Sequence, residues 1–250
     1  MNPFLFFIRE DRMNRASISI HTVCFTLFTA LLTFLSTSVR CEQVLLGDPA
    51  LTAGVPGSGP ISVPQIETWL DDEHNFSELT PVLPLGLSQG SSQITGVDEN
   101  PLTRAKIELG RQLYFDPRLS VDSTVSCASC HDPSMGYTAQ TKTGIGIKGQ
   151  AGGRNSPVSF NRILSDKQFW DGRAGSLEEQ AIGPIANPIE MGFTHEGVVK
   201  RLASMPVYAK QFEKILASDY NADNADAEME ELLGKDFDEK AEKLSEKELL

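Results

Sequence analysis

Cysteine is scarce: the chain has four in 250 residues, and two of these, Cys24 and Cys41, lie in its first 41 positions. A mature chain left with Cys127 and Cys130 has no disulfide framework to fold around. Positive charge is also in deficit, with 22 Lys or Arg against 34 Asp or Glu and a formal net charge of −12. Nucleic-acid surfaces need the opposite balance, so no nucleic-acid partner is expected. Histidine occurs only at His21, His74, His131 and His195. No apolar run reaches the ~20 residues that span a bilayer, since the longest, residues 23–35, has thirteen. No internal repeat is present.

Against that scarcity stands Cys127-Ala128-Ser129-Cys130-His131. Two thiols spaced C-x-x-C and followed at once by histidine form the attachment signature of a c-type haem. The thiols add across the haem vinyl groups as thioethers, and the adjacent imidazole reaches the iron as proximal ligand. Two other readings compete. A structural zinc site wants two further ligands at knuckle spacing, and a second C-x-x-C or H-x-x-x-H is absent. A thioredoxin-like redox pair wants a strand-helix-strand setting, which the flanking sequence lacks.

Haem attachment of this kind takes place outside the bacterial cytoplasm, so an export signal should precede it. Arg9, Arg12 and Arg15 give a positive segment, the apolar run follows, and Ser36 and Ser38 are small. Together they read as a signal peptide over residues 1–41, with a signal anchor as the alternative. Arg40 stands before Cys41 where a lipoprotein signal has a small residue, so no lipid anchor is expected. The expected location is the periplasm or the medium.

Residues 42–100 are rich in Pro, Gly and Ser and weakly periodic except around Ile66 to Leu70, which reads as an extension or linker. From Pro101 onward Leu102, Ala105, Leu109 and Leu113 repeat at helical spacing, with Pro101 at the start and Asp116-Pro117 as the stop. The C-x-x-C-H segment should open a short helix, because both thiols must converge on one ring edge. Residues 136–161 read as a long loop over or beside it. Ser176-Leu177-Glu178-Glu179 has the form of a capping box and starts a helix to about Ala186, ended by Asn187-Pro188. Thr194 caps a helix holding Val198, Val199 and Leu202, and Pro206 opens one with Tyr208, Phe212 and Leu216. The fold class is mostly α.

Charge is unevenly placed. Residues 219–250 hold twelve Asp or Glu against four Lys, a balance of −8 out of −12. This acidic tail also carries an apolar stripe at Met229, Leu233, Phe237, Ala241 and Leu244. It reads as a solvated helical arm or as a docking surface for a basic partner.

Four blocks carry a resemblance: Leu109-Gly110-Arg111-Gln112-Leu113-Tyr114-Phe115-Asp116-Pro117-Arg118-Leu119-Ser120, the Cys-Ala-Ser-Cys-His segment, Phe169-Trp170-Asp171-Gly172-Arg173, and Gly183-Pro184-Ile185-Ala186-Asn187-Pro188-Ile189-Glu190-Met191. In type and order they resemble the bacterial di-haem cytochrome c peroxidases, the MauG-like family, around the peroxidatic haem of its N-terminal domain. The similarity runs over residues 109–216, less than half of the chain. It implies a cytochrome c-like haem domain over residues 101–218, with His131 as proximal ligand and Gln180 and Glu190 on the distal side where peroxide binds. A partly desolvated carboxylate at Glu190 suits peroxide cleavage, which needs one group to take a proton from one oxygen and deliver it to the other. Gln180 would orient peroxide through its neutral amide. The resemblance further implies that Trp170 passes electrons between haems, that Asn155 contributes to a calcium site, and that Arg173 pairs with a haem propionate.

Two departures bear on function. Many such peroxidases place a histidine sixteen residues after the haem histidine, where it blocks the iron's sixth position; here Ile147 stands there. His195 is read as a helix-start residue, and Met135 and Met191 as poorly placed ligands, so an open, high-spin iron is expected. The family's C-terminal domain also carries another C-x-x-C-H, and this sequence has no second one. The expected function is reduction of hydrogen peroxide at one haem c, with electrons from a small donor protein such as a cytochrome c or cupredoxin, and with a separate second haem domain as a further partner. The alternatives are a single-haem electron-transfer cytochrome, a haem oxidase acting on a partner protein, and a truncated inactive half of a di-haem enzyme.

Overall fold

The computed structural model describes residues 42–45, 48, 51, 62–94, 96–97 and 100–219; the expected signal peptide and the acidic tail beyond Asp219 lie outside them. In chain order the elements are β1 (Glu42–Leu45), α1 (Val63–Leu70), β2 (Leu79–Val82), α2 (Arg104–Phe115), α3 (Cys127–Cys130), α4 (Leu177–Ala186), α5 (His195–Ala203) and α6 (Pro206–Asp219), with short 3-10 turns between them. The described residues are thus mostly helical.

Helix α2 begins later than its apolar pattern suggested. Thr103 caps it by accepting the Lys106 N–H at 3.2 Å, while Leu102 bridges to Leu79 and is buried with Val44 and Leu51. A side-chain cap satisfies an N–H that no helical carbonyl reaches, and Pro101 offers no such oxygen. Ala105, Leu109 and Leu113 then turn one face into the main core, where they meet Leu119, Ile185 and Leu202. Truncating a residue as buried as Leu109 to alanine costs about 2–5 kcal/mol. The helix ends at Asp116, whose extended backbone suits the proline that follows.

Polar pairs fix how α6 lies on α2. The Gln112 and Gln211 side-chain amides bond reciprocally at 3.0 Å. The Tyr208 hydroxyl donates to Asp116 at 2.7 Å, and Arg118 holds the same carboxylate through Nε and a terminal nitrogen. Arg201 reaches from α5 to donate to the carbonyls of Arg118 at 2.8 Å and Ser120 at 2.7 Å.

The stretch expected to be an extension or linker is an extension in sequence but, where described, not a free linker in space. β1 and β2 pair in parallel, and Arg104 of α2 clasps Glu42 with two bonds of 2.7 Å. Ile66, Trp69 and Leu70 make an apolar stripe on α1 that packs with Phe76 and Val207. Such a stripe has no stable place in water, and α6 supplies the surface that covers it. Lys210 and Lys214 of α6 then pair with Glu67 and Asp71.

Candidate active site

One helical turn brings the two thiols together. In α3 the His131 N–H bonds to the Cys127 carbonyl at 3.0 Å, which places positions i and i+3 on one side of the turn. Tyr114 of α2 reaches across to donate to the His131 carbonyl at 2.7 Å and pairs with Ser159 at 3.1 Å. Burial pushes the Tyr114 phenol up to about 12, so it stays a donor.

These residues fit a covalently held haem better than the two competing readings. Both cysteines are free thiols. Although Cys127 is only half-buried in surface area, the protein around its sulfur pushes the thiol up to about 11, and burial raises Cys130 too. A thiol held in that range is a poor thiolate for disulfide exchange. Burial lowers His131 below the ordinary histidine value, against the nearby carbonyls of Tyr137 and Pro157. Nδ1 of His131 is buried without a hydrogen-bond partner. A neutral imidazole beside two protonated thiols is the donor set that haem attachment uses. Among the described residues no group of three or more His, Cys, Asp or Glu is placed to hold a metal ion.

The loop expected over or beside this segment lies against it. The Cys130 thiol sits 3.6 Å from the Ile145 carbonyl. The Ile147 N–H then donates to the Glu190 carbonyl at 2.8 Å. Gly146 makes this crossing possible: a Cβ there would lie 1.9 Å from the Ile189 carbonyl oxygen and 2.6 Å from that of Glu190. Ile147 itself points into the main core together with Met191.

Beside this loop, which forms a strap across Ile189 and Glu190, is an open cavity of about 340 Å³. Helix α4 presents Glu179 and Gly183 to it, its C-cap Asn187 follows at the same four-residue spacing, and Phe169, Arg173 and Glu190 join them. Glu190 accepts the Asn187 amide at 2.9 Å. Burial raises its pKa above the ordinary carboxylate value, with the Arg173 charge and the Asn187 bond opposing. Its carboxylate is near enough to Cys130 to raise that thiol further, which links the cavity to the C-x-x-C-H segment. The Arg173 guanidinium lies 3.5 Å over the Phe169 ring and donates to Asp171 at 2.8 Å.

Not every expected residue meets here. Gln180 follows Glu179 on α4, about 100° round the helix from the lining stripe, and is not among the lining residues. Trp170 is 64% exposed and donates from its indole nitrogen to the Asn155 carbonyl at 2.8 Å. The Asn155 amide nitrogen serves its own loop, bonding the carbonyls of Thr141 and Lys142. His195 lies against the Ile182 carbonyl at 3.0 Å. Sequence reasoning missed Phe169, Glu179 and Asn187. Asn187 read only as a helix stop, and the expected capping box half-forms: Ser176 accepts the Glu179 N–H at 3.1 Å, but Glu179 takes the N–H of Gly175 instead.

Residues 104–233 match the model of a protein family described as di-haem cytochrome c peroxidase. The chain is 54% identical over 112 residues to the cytochrome c551 peroxidase of Nitrosomonas europaea, covering 45% of this chain and 34% of that one. To the cytochrome c551 peroxidase of Pseudomonas aeruginosa it is 43% identical over 122 residues, with 49% and 35% covered. To the methylamine utilization protein MauG of Methylorubrum extorquens it is 42% identical over 120 residues, with 48% and 34% covered. The chain therefore spans about a third of the length of these curated relatives. With its thiol pair, its orphaned imidazole and a family match over more than half of its length, the chain belongs to the di-haem cytochrome c peroxidase family.

Proposed function

We propose that this chain holds one haem c and reduces hydrogen peroxide to water with electrons from a small donor protein. One observation carries the reading: a half-buried carboxylate, Glu190, borders a cavity and stands close to Cys130. Cys127 and Cys130 would hold the haem as thioethers and His131 would bind its iron, with Trp170 and Arg173 near its edge. When bound, the haem supplies the two electrons that cleave the oxygen–oxygen bond.

The protein's own part is to move a proton. Reduction of one peroxide consumes two electrons and two protons and yields two waters. Asn187 holds Oε1 of Glu190, which leaves Oε2 to take a proton from one peroxide oxygen and return it to the leaving one. Burial strengthens the carboxyl's hold on this proton, and the Arg173 charge and the Asn187 bond oppose it. Gln180 is proposed to orient peroxide on the same side.

The chain is proposed to act in the periplasm or outside the cell after loss of residues 1–41, with residues 101–218 as its haem domain. Electrons would come from a cytochrome c or a cupredoxin, through Trp170 and a second haem domain. A calcium ion at Asn155 belongs to the same proposal.

The test is the oxidised visible spectrum of the purified holoprotein before and after hydrogen peroxide. A five-coordinate, high-spin spectrum that changes on adding peroxide is expected. A low-spin, six-coordinate spectrum that ignores peroxide overturns the catalytic reading in favour of an electron carrier.

A further inference from the structure

We propose that Tyr114 is a positioning residue for the iron ligand: its hydroxyl sets how His131 sits among the carbonyls beside its ring, and so how strongly the imidazole donates to iron. The proposal rests on the haem c reading of the C-x-x-C-H segment.

Helix α2 is anchored in the main core by Leu109 and Leu113, and Tyr114, the next residue, turns out of that core toward α3. Its hydroxyl donates to the His131 carbonyl at 2.7 Å and lies 3.1 Å from the Ser159 hydroxyl. The Ser159 N–H in turn donates to the Tyr137 carbonyl at 3.1 Å, and the Tyr137 N–H to the Asp132 carbonyl at 2.8 Å. Asp132 follows His131 in the chain, so these bonds close a cycle: His131, Tyr114, Ser159, Tyr137, Asp132 and back to His131.

The cycle carries the surroundings of the ligand. The carbonyls of Tyr137 and Pro157 lie near the His131 imidazole, whose Nδ1 is buried without a hydrogen-bond partner. Tyr137 has a φ of 61°, in the left-handed region that a tyrosine keeps only under restraint. Its bonds to Ser159 and Asp132 supply that restraint, and the first of them depends on where Tyr114 holds Ser159. A carbonyl that closes on the far nitrogen of a ligating imidazole makes it a stronger donor, and one that drifts away weakens it.

Packing alone does not call for tyrosine at this position. The ring meets Phe115 and Tyr137 edge-on at centroid distances of 5.2 and 6.4 Å, contacts that phenylalanine would make equally well. The hydroxyl is what ties the ligand's backbone and the loop to a helix fixed in the core. Without it Ser159 and the His131 carbonyl lose their common partner, the imidazole donates less, and the oxidised iron, which depends more on that donation, is disfavoured.

The test compares Tyr114→Phe with the parent as full-length holoprotein, by spectroelectrochemical titration and by the iron–histidine stretching band of the reduced protein in resonance Raman spectra. In Tyr114→Phe the band should move to lower frequency, and the reduced-to-oxidised ratio at a fixed potential should rise roughly three- to tenfold, a midpoint about 30–60 mV higher. Ser159→Ala should shift both in the same direction by less, and it carries the test where Tyr114→Phe does not retain haem. Tyr208→Phe removes another hydroxyl bond, to Asp116 at the same end of α2; it should lower the denaturation midpoint and leave band and potential in place. An unchanged band and potential in Tyr114→Phe, or shifts as large in Tyr208→Phe, overturn the proposal. A parent chain that gains no haem mass at Cys127 and Cys130 overturns the haem reading and this proposal with it, whereas a holoprotein that shows the shifts but ignores peroxide upholds Tyr114 and overturns the peroxide chemistry alone.

Discussion

The peptide N–H of Ile147 donates to the carbonyl oxygen of Glu190 at 2.8 Å, fastening the loop that lies on Cys130 to the backbone of the carboxylate beside the cavity. Ile147 stands sixteen residues after His131, and its side chain is 4% exposed in the main core. The two positions that the sequence singled out for opposite reasons are thus one structural unit.

The crossing at Gly146 has no room for a side chain. Gly146→Ala is expected to force the strap away from Ile189 and Glu190, at a cost of about 1–3 kcal/mol. The denaturation midpoint should fall, and the haem spectrum should shift with it if the strap sets the cavity. An unchanged midpoint would show that the loop yields freely.

Replacing Glu190 by Gln should separate chemistry from stability. Loss of the proton carrier is expected to slow the peroxide step by about 10²–10⁴ with covalent haem intact, as stopped-flow mixing would show. Since burial raises the Glu190 pKa above 4.5, its folded state favours the proton. The stability this brings is present below the unfolded value and is lost as pH rises through the folded one. Glu190→Gln should therefore be no less stable than the parent at pH ~7. An unchanged peroxide rate removes Glu190 from the mechanism.

Asp116 should govern part of the acid sensitivity. Burial raises its pKa, but the bonds from Arg118 and Tyr208 outweigh this and hold it below the ordinary 3.8. Its stabilising contribution is present above that value and is lost as pH falls through the lowered one. Asp116→Asn is expected to cost on the order of 2 kcal/mol near neutrality, with the exposed side of Arg118 moderating the loss. The gap between variant and parent should close toward pH ~2 in urea melts. A gap independent of pH would assign the loss to packing.

Arg201 tests how α5 is held to the segment before α3. It donates to the Arg118 and Ser120 carbonyls and lies 4.1 Å over the Phe193 ring. Arg201→Ala should cost about 1.5–3 kcal/mol, and Arg201→Lys should restore only a fraction, because an ammonium lacks the planar fork. Equal midpoints for the lysine variant and the parent would reduce the role of Arg201 to charge alone.

Much of the helical framework was legible because its signals are local. The apolar stripe of α2, the Ser176 and Thr194 caps, and the stop at Asn187-Pro188 act within a few residues of themselves. The start of α2 was misplaced because Leu102 was counted into the stripe, whereas Leu79 takes it into a bridge. The role of Ile66, Trp69 and Leu70 was hidden because their partner, Val207, belongs to a helix more than a hundred residues away.

The sequence by itself determined the C-x-x-C-H turn, the mostly α character and the segregation of negative charge beyond Asp219, since spacing, propensity and composition suffice for each. Only the tertiary structure decided that Glu190 lies beside Cys130, that Phe169, Glu179 and Asn187 share its cavity, and that Arg154 and Arg173 meet on Asp171. Those neighbours come from different loops and helices, and packing brings them together through contacts that leave no period in the chain.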